Sequence, residues 1–253
     1  MIAYFAYCQG DILLTSEGGI PLGLPPVDFK PWQHVTTLQT SGRECRIYRL
    51  DEPVQYVEGL QMVPLRKSFD LLPPEDYRLA GKCAELLYWD QNSRFCGCCG
   101  SPMVWQTPMS KHCTGCGKEL WPQLSTAIIV RVTRGNEILL VHSRNFRSSY
   151  YGLVAGFVET GETLEQCVER EVMEETGLNV CNIRYFASQP WPYPCGLMVG
   201  FTAEYAGGEM HLQRSELSCG GWFRRDTLPE IPGRASLARW LIDDWMELQG
   251  YKS

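Results

Sequence analysis

The 253-residue sequence predicts an α+β protein in three parts. Short apolar or alternating runs at residues 2–7, 34–39, 45–50 and 57–63 are typical of a β-rich domain. Two closely spaced cysteine pairs follow between residues 93 and 124. Residues 125–253 mix strand and helix patterns and favour an α/β/α sandwich, a sheet with helices on both faces. The predicted boundaries are therefore 1–92, 93–124 and 125–253.

Helical and strand patterns place the remaining elements. Apolar residues recur at helical spacing from Pro74 to about Asn92, which predicts a connecting helix at the end of the first part. In the third part, strands at 127–132 and 137–141 flank Arg134, Gly135 and Asn136, so a hairpin is expected there. Further strands are predicted at 183–188, 197–205, 209–212 and 221–223, followed by a helix at 235–248.

Composition and charge limit the classes of function. The chain has 29 acidic and 23 basic residues, a net charge of -6, and no block of consecutive Lys or Arg. We therefore expect only modest electrostatic affinity for nucleic acid. The first fifteen residues lack a basic lead-in and become polar after Cys8, so neither a signal peptide nor a membrane span is predicted. A cytoplasmic protein with no membrane partner is expected.

Two Cys-x-x-Cys pairs predict a metal site. Cys96 and Cys99 form the first pair, and Cys113 and Cys116 form the second, with glycines at the turns. Four thiolates fill a tetrahedral zinc shell and leave no position for water, so this zinc ribbon is expected to be structural and not catalytic. Cys98 could substitute for Cys99, and His112 is an alternative ligand, although the spacing favours the four cysteines.

The stretch from Gly156 to Leu178 gathers acidic residues on one helix. Glu171 and Glu175 are four residues apart and Glu174 is three from Glu171, so their carboxylates lie on adjacent rows of one face. Crowded carboxylates repel one another, which indicates a bound cation, and Mg²⁺ prefers such oxygen ligands. Arg170 has the spacing to pair with Glu174, and its expected role is to orient an acid. An ordinary amphipathic helix with a solvated acidic face is the alternative.

The same stretch resembles the Nudix box. Gly156, Glu162 and the run from Arg170 to Leu178 agree with that pattern at every specified position. The later run SQPWPYP, residues 188–194, with Cys195 and Gly196 resembles the array of the NADH pyrophosphatases of the Nudix superfamily, which also carry a four-cysteine ribbon before it. The resemblance implies a homodimeric enzyme that splits NAD(H) into AMP and nicotinamide mononucleotide with Mg²⁺ or Mn²⁺. Bacterial members also remove NAD caps from RNA.

The resemblance also assigns roles to individual residues. It implies that Glu171, Glu175, Glu216 and the backbone carbonyl of Ala155 bind the catalytic metals, with Glu174 as a candidate general base and Arg170 beside it. It further implies a dinucleotide pocket made by residues that lie mostly in the array: Gln189, Pro190, Trp191, Pro192, Tyr193, Pro194, Cys195, Gly196, Phe157, Ala238, Arg66 and Trp121 of the partner subunit. Rigid aromatic rings in a proline-rich loop suit stacking on flat bases.

Two departures and two alternatives remain. Gly196 replaces the final serine of the array and Tyr193 replaces its phenylalanine, so one hydroxyl is lost and another appears on the ring. NAD-capped RNA is the alternative to free NAD(H) as the main substrate. A non-catalytic Nudix module that senses a nucleotide is the alternative to an enzyme, although every acid of the box is present.

Overall fold

The computed structural model describes residues 1–40, 42–144 and 149–250. The chain forms two compact units. The first unit holds residues 1–124 together with 191–195, and the second holds 125–190 together with 196–253. Among the residues described, no helix is both long and apolar enough to cross a membrane.

A five-stranded sheet and one long helix build the first unit. The strands are β1 (Ile2–Cys8), β2 (Asp11–Thr15), β3 (His34–Thr40), β4 (Arg43–Arg49) and β5 (Leu60–Pro64), in the order β3-β4-β1-β2-β5. Strand β1 lies parallel to β4 and antiparallel to β2. Helix α1 (Pro74–Asn92) packs on one face, where Phe5 and Tyr7 of the sheet join Cys83 and Leu86 of the helix in one core. The predicted helix is confirmed at both ends.

Three short strands complete the first unit. They are β6 (Met103–Thr107), β7 (Ser110–Cys113) and β8 (Glu119–Leu120), paired in that order. Their apolar contacts involve Cys96, Met103 and Cys113, with Leu120 packed against them. This cluster is too small to stabilise the segment by apolar burial alone. Segments of this kind are usually stabilised by a bound metal or by a buried polar contact.

A mixed sheet between two helices builds the second unit. Its strands are β9 (Ser125–Arg134), β10 (Glu137–Ser143), β11 (Val154–Phe157), β12 (Asn179–Trp191, whose last residue belongs to the first unit), β13 (Gly196–Gly207) and β14 (Leu217–Arg224). The order is β12-β13-β9-β10-β14, with β11 also paired to β9. Helices α2 (Leu164–Thr176) and α3 (Leu237–Leu248) follow β11 and β14 along the chain.

Strand β9 alternates between two cores. Ile128 and Val130 contribute to the core that contains α2, whereas Ile129 contributes to the core that contains α3. Successive side chains of a strand point to opposite faces, so each helix covers one face of the sheet. The predicted α/β/α sandwich and the β9–β10 hairpin are confirmed.

The predicted strand at 209–212 is wrong. These residues lie outside the strands, and their backbone serves the end of α2 instead. His211 N–H donates to the carbonyl of Thr176 at 2.8 Å, and Gln213 N–H donates to that of Glu175 at 2.8 Å. Alternating polar and apolar residues suggested a strand, but the carbonyls left unpaired at the end of a helix need donors. The segment supplies them.

A buried lysine joins the ribbon to helix α1. Lys111 of β7 is 2% exposed, and its ammonium group binds the carboxylate of Asp90 at 2.8 Å. It also donates to the Ser93 carbonyl and hydroxyl, each at 3.1 Å. The rings of Trp89 and Trp105 lie 5.2 Å from the same nitrogen. Every donor direction of the ammonium group is therefore used.

Replacing Asp90 by Asn should destabilise the protein by about 3 kcal/mol, because removing one partner leaves a buried charge without compensation. Urea unfolding followed by tryptophan fluorescence measures the loss. The matched control is Asp28→Asn, which removes an exposed ion pair with Lys30 and should leave the midpoint unchanged. Equal midpoints for the two variants would contradict a stabilising role for the buried pair.

Candidate active site

Helix α2 is capped at both ends. Its N-cap is Thr163, whose hydroxyl accepts from Gln166 N–H at 3.2 Å, while the Gln166 side chain accepts from Thr163 N–H at 2.8 Å. This reciprocal pair satisfies two of the free donors at the start of the helix. Gly177 ends the helix with φ +72°, a left-handed conformation that suits glycine.

Two of the predicted acids are buried with the apolar side of α2. Glu171 is 9% exposed and Glu175 is 5% exposed, like the neighbouring core residues Cys167, Val168 and Val172. The side chain of Glu174, by contrast, is 52% exposed. Ionised carboxylates are rarely buried without compensation, so Glu171 and Glu175 are the unusual acids of this helix.

Strand β11 approaches Glu171 so closely that only glycine fits at position 156. A Cβ atom on Gly156 would lie 1.9 Å from the carboxyl carbon of Glu171. Any other side chain would therefore displace the carboxylate or the strand. Ala155 precedes this glycine in the same strand, so its backbone carbonyl is part of the segment that contacts the acid.

Arg170 holds three glutamates at once. Its guanidinium donates to Glu162 at 2.7 and 3.0 Å, to Glu171 at 2.8 Å and to Glu174 at 3.1 Å. The predicted pair with Glu174 is confirmed, and the contact with Glu162, eight residues earlier, is an addition that helical spacing could not reveal. Arg170 also lowers the pKa of Glu162 to about 2. This residue orients carboxylates, as its rigid fork of donors allows.

Among the acids of the site, Glu175 has a pKa that is strongly raised. Burial raises its pKa to about 8, and the negative charges of Glu171, Glu216 and Glu174 add to that effect. Burial also raises the pKa of Glu171. Glu216 lies near enough for its charge to raise the pKa of both Glu171 and Glu175, although its own side chain is exposed. Backbone hydrogen bonds from residues 211 and 213 to the end of α2 hold the segment that precedes Glu216.

The acids fit a hard divalent cation. In the part of the chain that is described, no hydrogen-bond donor and no cation reaches the Glu175 carboxylate or that of Glu216. Carboxylate oxygens without protein donors are the ligands that Mg²⁺ and Mn²⁺ prefer. The oxygens of Glu171, Glu175 and Glu216 do not all lie within 4.8 Å of one another.

The four predicted cysteines form a compact group. The sulfur atoms of Cys96, Cys99, Cys113 and Cys116 all lie within 4.8 Å of one another. Backbone N–H groups of Gly115 and Cys116 donate to the Cys113 sulfur at 3.3 and 3.4 Å. A hydrogen bond from the Ser101 backbone lowers the pKa of Cys99 to about 6. This thiolate set can bind a zinc ion.

The two alternative ligands lie outside this group. Cys98 accepts a hydrogen bond from Lys118 Nζ at 3.3 Å, so its sulfur is directed elsewhere. His112 has a buried Nδ1 atom without a hydrogen-bond partner among the residues described, and it is not part of the cluster. The spacing argument in favour of Cys99 is consistent with this geometry.

The residues predicted to bind the dinucleotide are divided between the two units. In the second unit, Gln189 donates to the Ala235 carbonyl at 2.7 Å and accepts from Leu237 N–H at 2.7 Å, so its amide holds the start of α3. Phe157 is exposed, whereas Ala238 is buried in α3. Pro190 is exposed and Gly196, the first residue of β13, is partly buried.

The other predicted pocket residues lie in the first unit. They are Arg66, Trp121 and the loop residues Trp191, Pro192, Tyr193, Pro194 and Cys195. The Arg66 guanidinium lies 5.1 Å from the centre of the Trp191 ring. The rings of Trp191 and Tyr193 are 5.2 Å apart and nearly perpendicular. Trp121 is 54% exposed.

Comparisons with known proteins agree with this arrangement. The profile of the NUDIX domain matches residues 122–243, which include Glu162, Glu171, Glu174, Glu175 and Glu216. A protein of Stutzerimonas stutzeri (strain A1501) named NAD-capped RNA hydrolase NudC is 43% identical over 203 residues, or 80% of this chain and 73% of that protein. The chain belongs to the Nudix hydrolase family.

Further matches extend the comparison. A protein of the same name from Pectobacterium carotovorum subsp. carotovorum (strain PC1) is 47% identical over 173 residues, or 68% of this Nudix hydrolase and 66% of that protein. The crystal structure of a NUDIX hydrolase from Nitrosomonas europaea superposes with a TM-score of 0.51 at 22% identity, and covers 63% of this chain and 95% of that one. The latter similarity concerns the fold alone.

The pKa of Glu175 gives this Nudix hydrolase a testable pH dependence. Its folded value of about 8 lies above the ordinary value of 4.5. The contribution of Glu175 to the free energy of unfolding is therefore complete below pH 4.5, where the group is protonated in the folded and the unfolded protein. It is lost as the pH rises through 8, because the buried group must then ionise. Without added divalent cation, Glu175→Gln should therefore raise the melting temperature at pH 8 but not at pH 4, measured by thermal unfolding.

The control for this effect is Glu169→Gln, an exposed acid of the same helix. This variant should show the same change in melting temperature between pH 4 and pH 8 as the unaltered protein. A melting temperature at pH 8 that is lower in Glu175→Gln than in the unaltered protein would contradict the assigned acidity.

Proposed function

We propose that this chain hydrolyses the diphosphate of NAD(H) to AMP and nicotinamide mononucleotide, and that it removes NAD caps from RNA 5′ ends. The observation that carries the proposal is the buried Glu175 carboxylate, which lies among three other acids and has no protein donor. The names of its relatives, at 43 and 47% identity, supply the substrate class.

Glu171, Glu175, Glu216 and the Ala155 carbonyl would hold Mg²⁺ or Mn²⁺. A divalent ion held there neutralises charge on the diphosphate and lowers the pKa of the attacking water. Arg170 keeps Glu171 and Glu174 in place through hydrogen bonds of 2.8 and 3.1 Å. Glu174 is exposed and only partly neutralised by Arg170, so we assign it the acceptance of the proton from water.

Substrate selection is assigned to the array and its neighbours. The rings of Trp191 and Tyr193 offer flat surfaces for a base, and Arg66 supplies a cation beside them. The resemblance also assigns to substrate binding Phe157 and Ala238 of the second unit and, in a homodimer, the exposed Trp121 of the partner subunit. With a net charge of -6, RNA recognition would depend on the cap more than on the following nucleotides.

A structural zinc ion is assigned to the four clustered cysteines, since tetrahedral thiolate sites of this spacing hold zinc and have no open position. None of the twelve cysteines forms a disulfide. This suits a reducing compartment, and we infer a cytoplasmic protein.

Turnover tests the catalytic assignment. Glu174→Gln and Glu175→Gln should each lower kcat on NADH by about 100-fold or more, because each removes a carboxylate from metal binding or proton transfer. Glu169→Gln, on the exposed side of the same helix, should retain normal kcat. Circular dichroism verifies that all three variants are folded.

Substrate choice requires a direct comparison. The unaltered protein is incubated with NADH, ADP-ribose, diadenosine polyphosphates and NAD-capped RNA, each with Mg²⁺ or Mn²⁺. We expect the highest kcat/KM for NADH or NAD-capped RNA. No hydrolysis of either substrate with Mn²⁺ would overturn the proposal and favour a sensing module, and normal rates in both glutamate variants would overturn the site.

Metal content tests the ribbon. Cys99→Ser should reduce bound zinc well below about one ion per chain and lower the melting temperature, because it removes one of four ligands. Cys98→Ser is the matched control, since its sulfur lies outside the cluster. Mass spectrometry of metal content distinguishes them. Equal zinc loss in both variants would contradict the ligand assignment.

A further inference from the structure

The loop Trp191–Cys195, here called the substrate loop, packs against helix α1 of the first unit. Pro192 is buried, and its ring lies over Gly81 of that helix. A Cβ atom on Gly81 would lie 3.0 Å from Cγ of Pro192, which is closer than ordinary packing permits. The absence of a side chain at Gly81 therefore sets how closely the loop approaches the helix.

A pair of tyrosine hydroxyls ties the same loop to the same helix. The hydroxyl of Tyr193 lies 2.7 Å from that of Tyr77, one turn before Gly81 on α1. Burial raises the pKa of Tyr193 well above its usual value, so this hydroxyl keeps its proton, and either hydroxyl of the pair can donate to the other. A neutral hydrogen bond in a partly buried place contributes about 0.5 to 1.5 kcal/mol.

Behind the substrate loop the packing is incomplete. A cavity of about 480 Å³ is lined by Pro192, Tyr193 and Pro194 on one side and by residues of α1, including Tyr88, on another. Side chains beside a cavity lose the contacts that would otherwise fix them. The hydroxyl pair and the contact at Gly81 therefore have a large share in holding the loop.

The held loop carries the ring assigned to the base. Trp191 lies between the Arg66 guanidinium, 5.1 Å from its centre, and the Tyr193 ring at 5.2 Å. A shift of Tyr193 would therefore move one of the two neighbours that orient the indole. The array that this loop resembles has phenylalanine where this chain has Tyr193, and phenylalanine has no hydroxyl. The resemblance therefore does not imply the hydrogen bond between Tyr77 and Tyr193.

We propose that Tyr77 and Tyr193 are positioning residues, whose hydroxyl pair fixes the substrate loop on α1 and so presets Trp191 for stacking on the flat base of the substrate. The inference rests on the proposed function. Neither hydroxyl takes part in bond cleavage. If the Trp191 ring is already fixed before the substrate arrives, less conformational entropy is lost on binding. The pair therefore acts on substrate affinity and not on the chemical step.

Kinetics of single and double variants test the pair. Tyr77→Phe and Tyr193→Phe should each raise KM for NADH about threefold to tenfold with kcat little changed, since 1.4 kcal/mol corresponds to a factor of ten. Each leaves one partly buried hydroxyl unpaired. The double variant should be no worse than either single one, because removing both partners of a hydrogen bond is nearly neutral.

Tyr88→Phe is the matched control. Its ring lines the same cavity on the same helix, and its hydroxyl makes no hydrogen bond with any residue the structure describes. It should leave KM unchanged. Gly81→Ala is a second, independent probe that pushes on Pro192 and should raise KM without removing a hydroxyl. If Tyr193→Phe alone raised KM and Tyr77→Phe did not, the Tyr193 hydroxyl would contact substrate and the proposal would be wrong.

Hydrogen exchange separates this inference from the proposed function. Mass spectrometry of the peptide covering residues 188–198 should show faster amide exchange in Tyr77→Phe than in the unaltered protein, and no change in Tyr88→Phe. This readout needs no turnover. Faster exchange in a protein that does not hydrolyse NADH would support the tie and refute the enzyme assignment, whereas unchanged exchange and unchanged KM in Tyr77→Phe would overturn the tie.

Discussion

The second unit is organised around a buried carboxylate that the protein does not neutralise. Glu175 is 5% exposed and is surrounded by the charges of Glu171, Glu216 and Glu174. Burying such a group costs free energy that an apolar residue at the same position would not cost. The cost is understandable at the proposed metal site, because functional sites are where proteins keep strongly perturbed acids.

Three features of the fold maintain this arrangement. Gly156 lets β11 approach the Glu171 carboxylate to a distance that any Cβ would prevent. Arg170 compensates one side of the acidic cluster by binding Glu162, Glu171 and Glu174, and leaves Glu175 without a partner. The segment before Glu216 is fixed by two backbone hydrogen bonds to the end of α2. The acids are thus held by backbone and by one arginine, so a cation need not organise them on its own.

The sequence was informative where residue spacing determines geometry. Helical periodicity predicted α1, the spacing of Arg170 and Glu174 predicted their contact, and the two cysteine pairs predicted their clustering. It was misleading at 209–212, where an alternating pattern is used to cap a helix. The contact between Arg170 and Glu162, and the tie between Tyr77 and Tyr193, join residues 8 and 116 positions apart, so no local pattern could have revealed them.

The two units divide the work that the proposed reaction requires. All acids assigned to metal binding and proton transfer lie in the second unit, whereas the aromatic loop lies in the first, although both strands beside it along the chain belong mainly to the second. In the proposed reaction, α1 therefore acts on substrate binding through the loop that it holds, and the acids act on the chemical step. The hydroxyl pair illustrates this division, since Tyr77 and Tyr193 both belong to the first unit and Glu171 belongs to the second. If the proposed function is correct, a substitution in α1 that breaks the hydroxyl pair changes KM and not kcat, because it removes no group that is assigned to the chemical step.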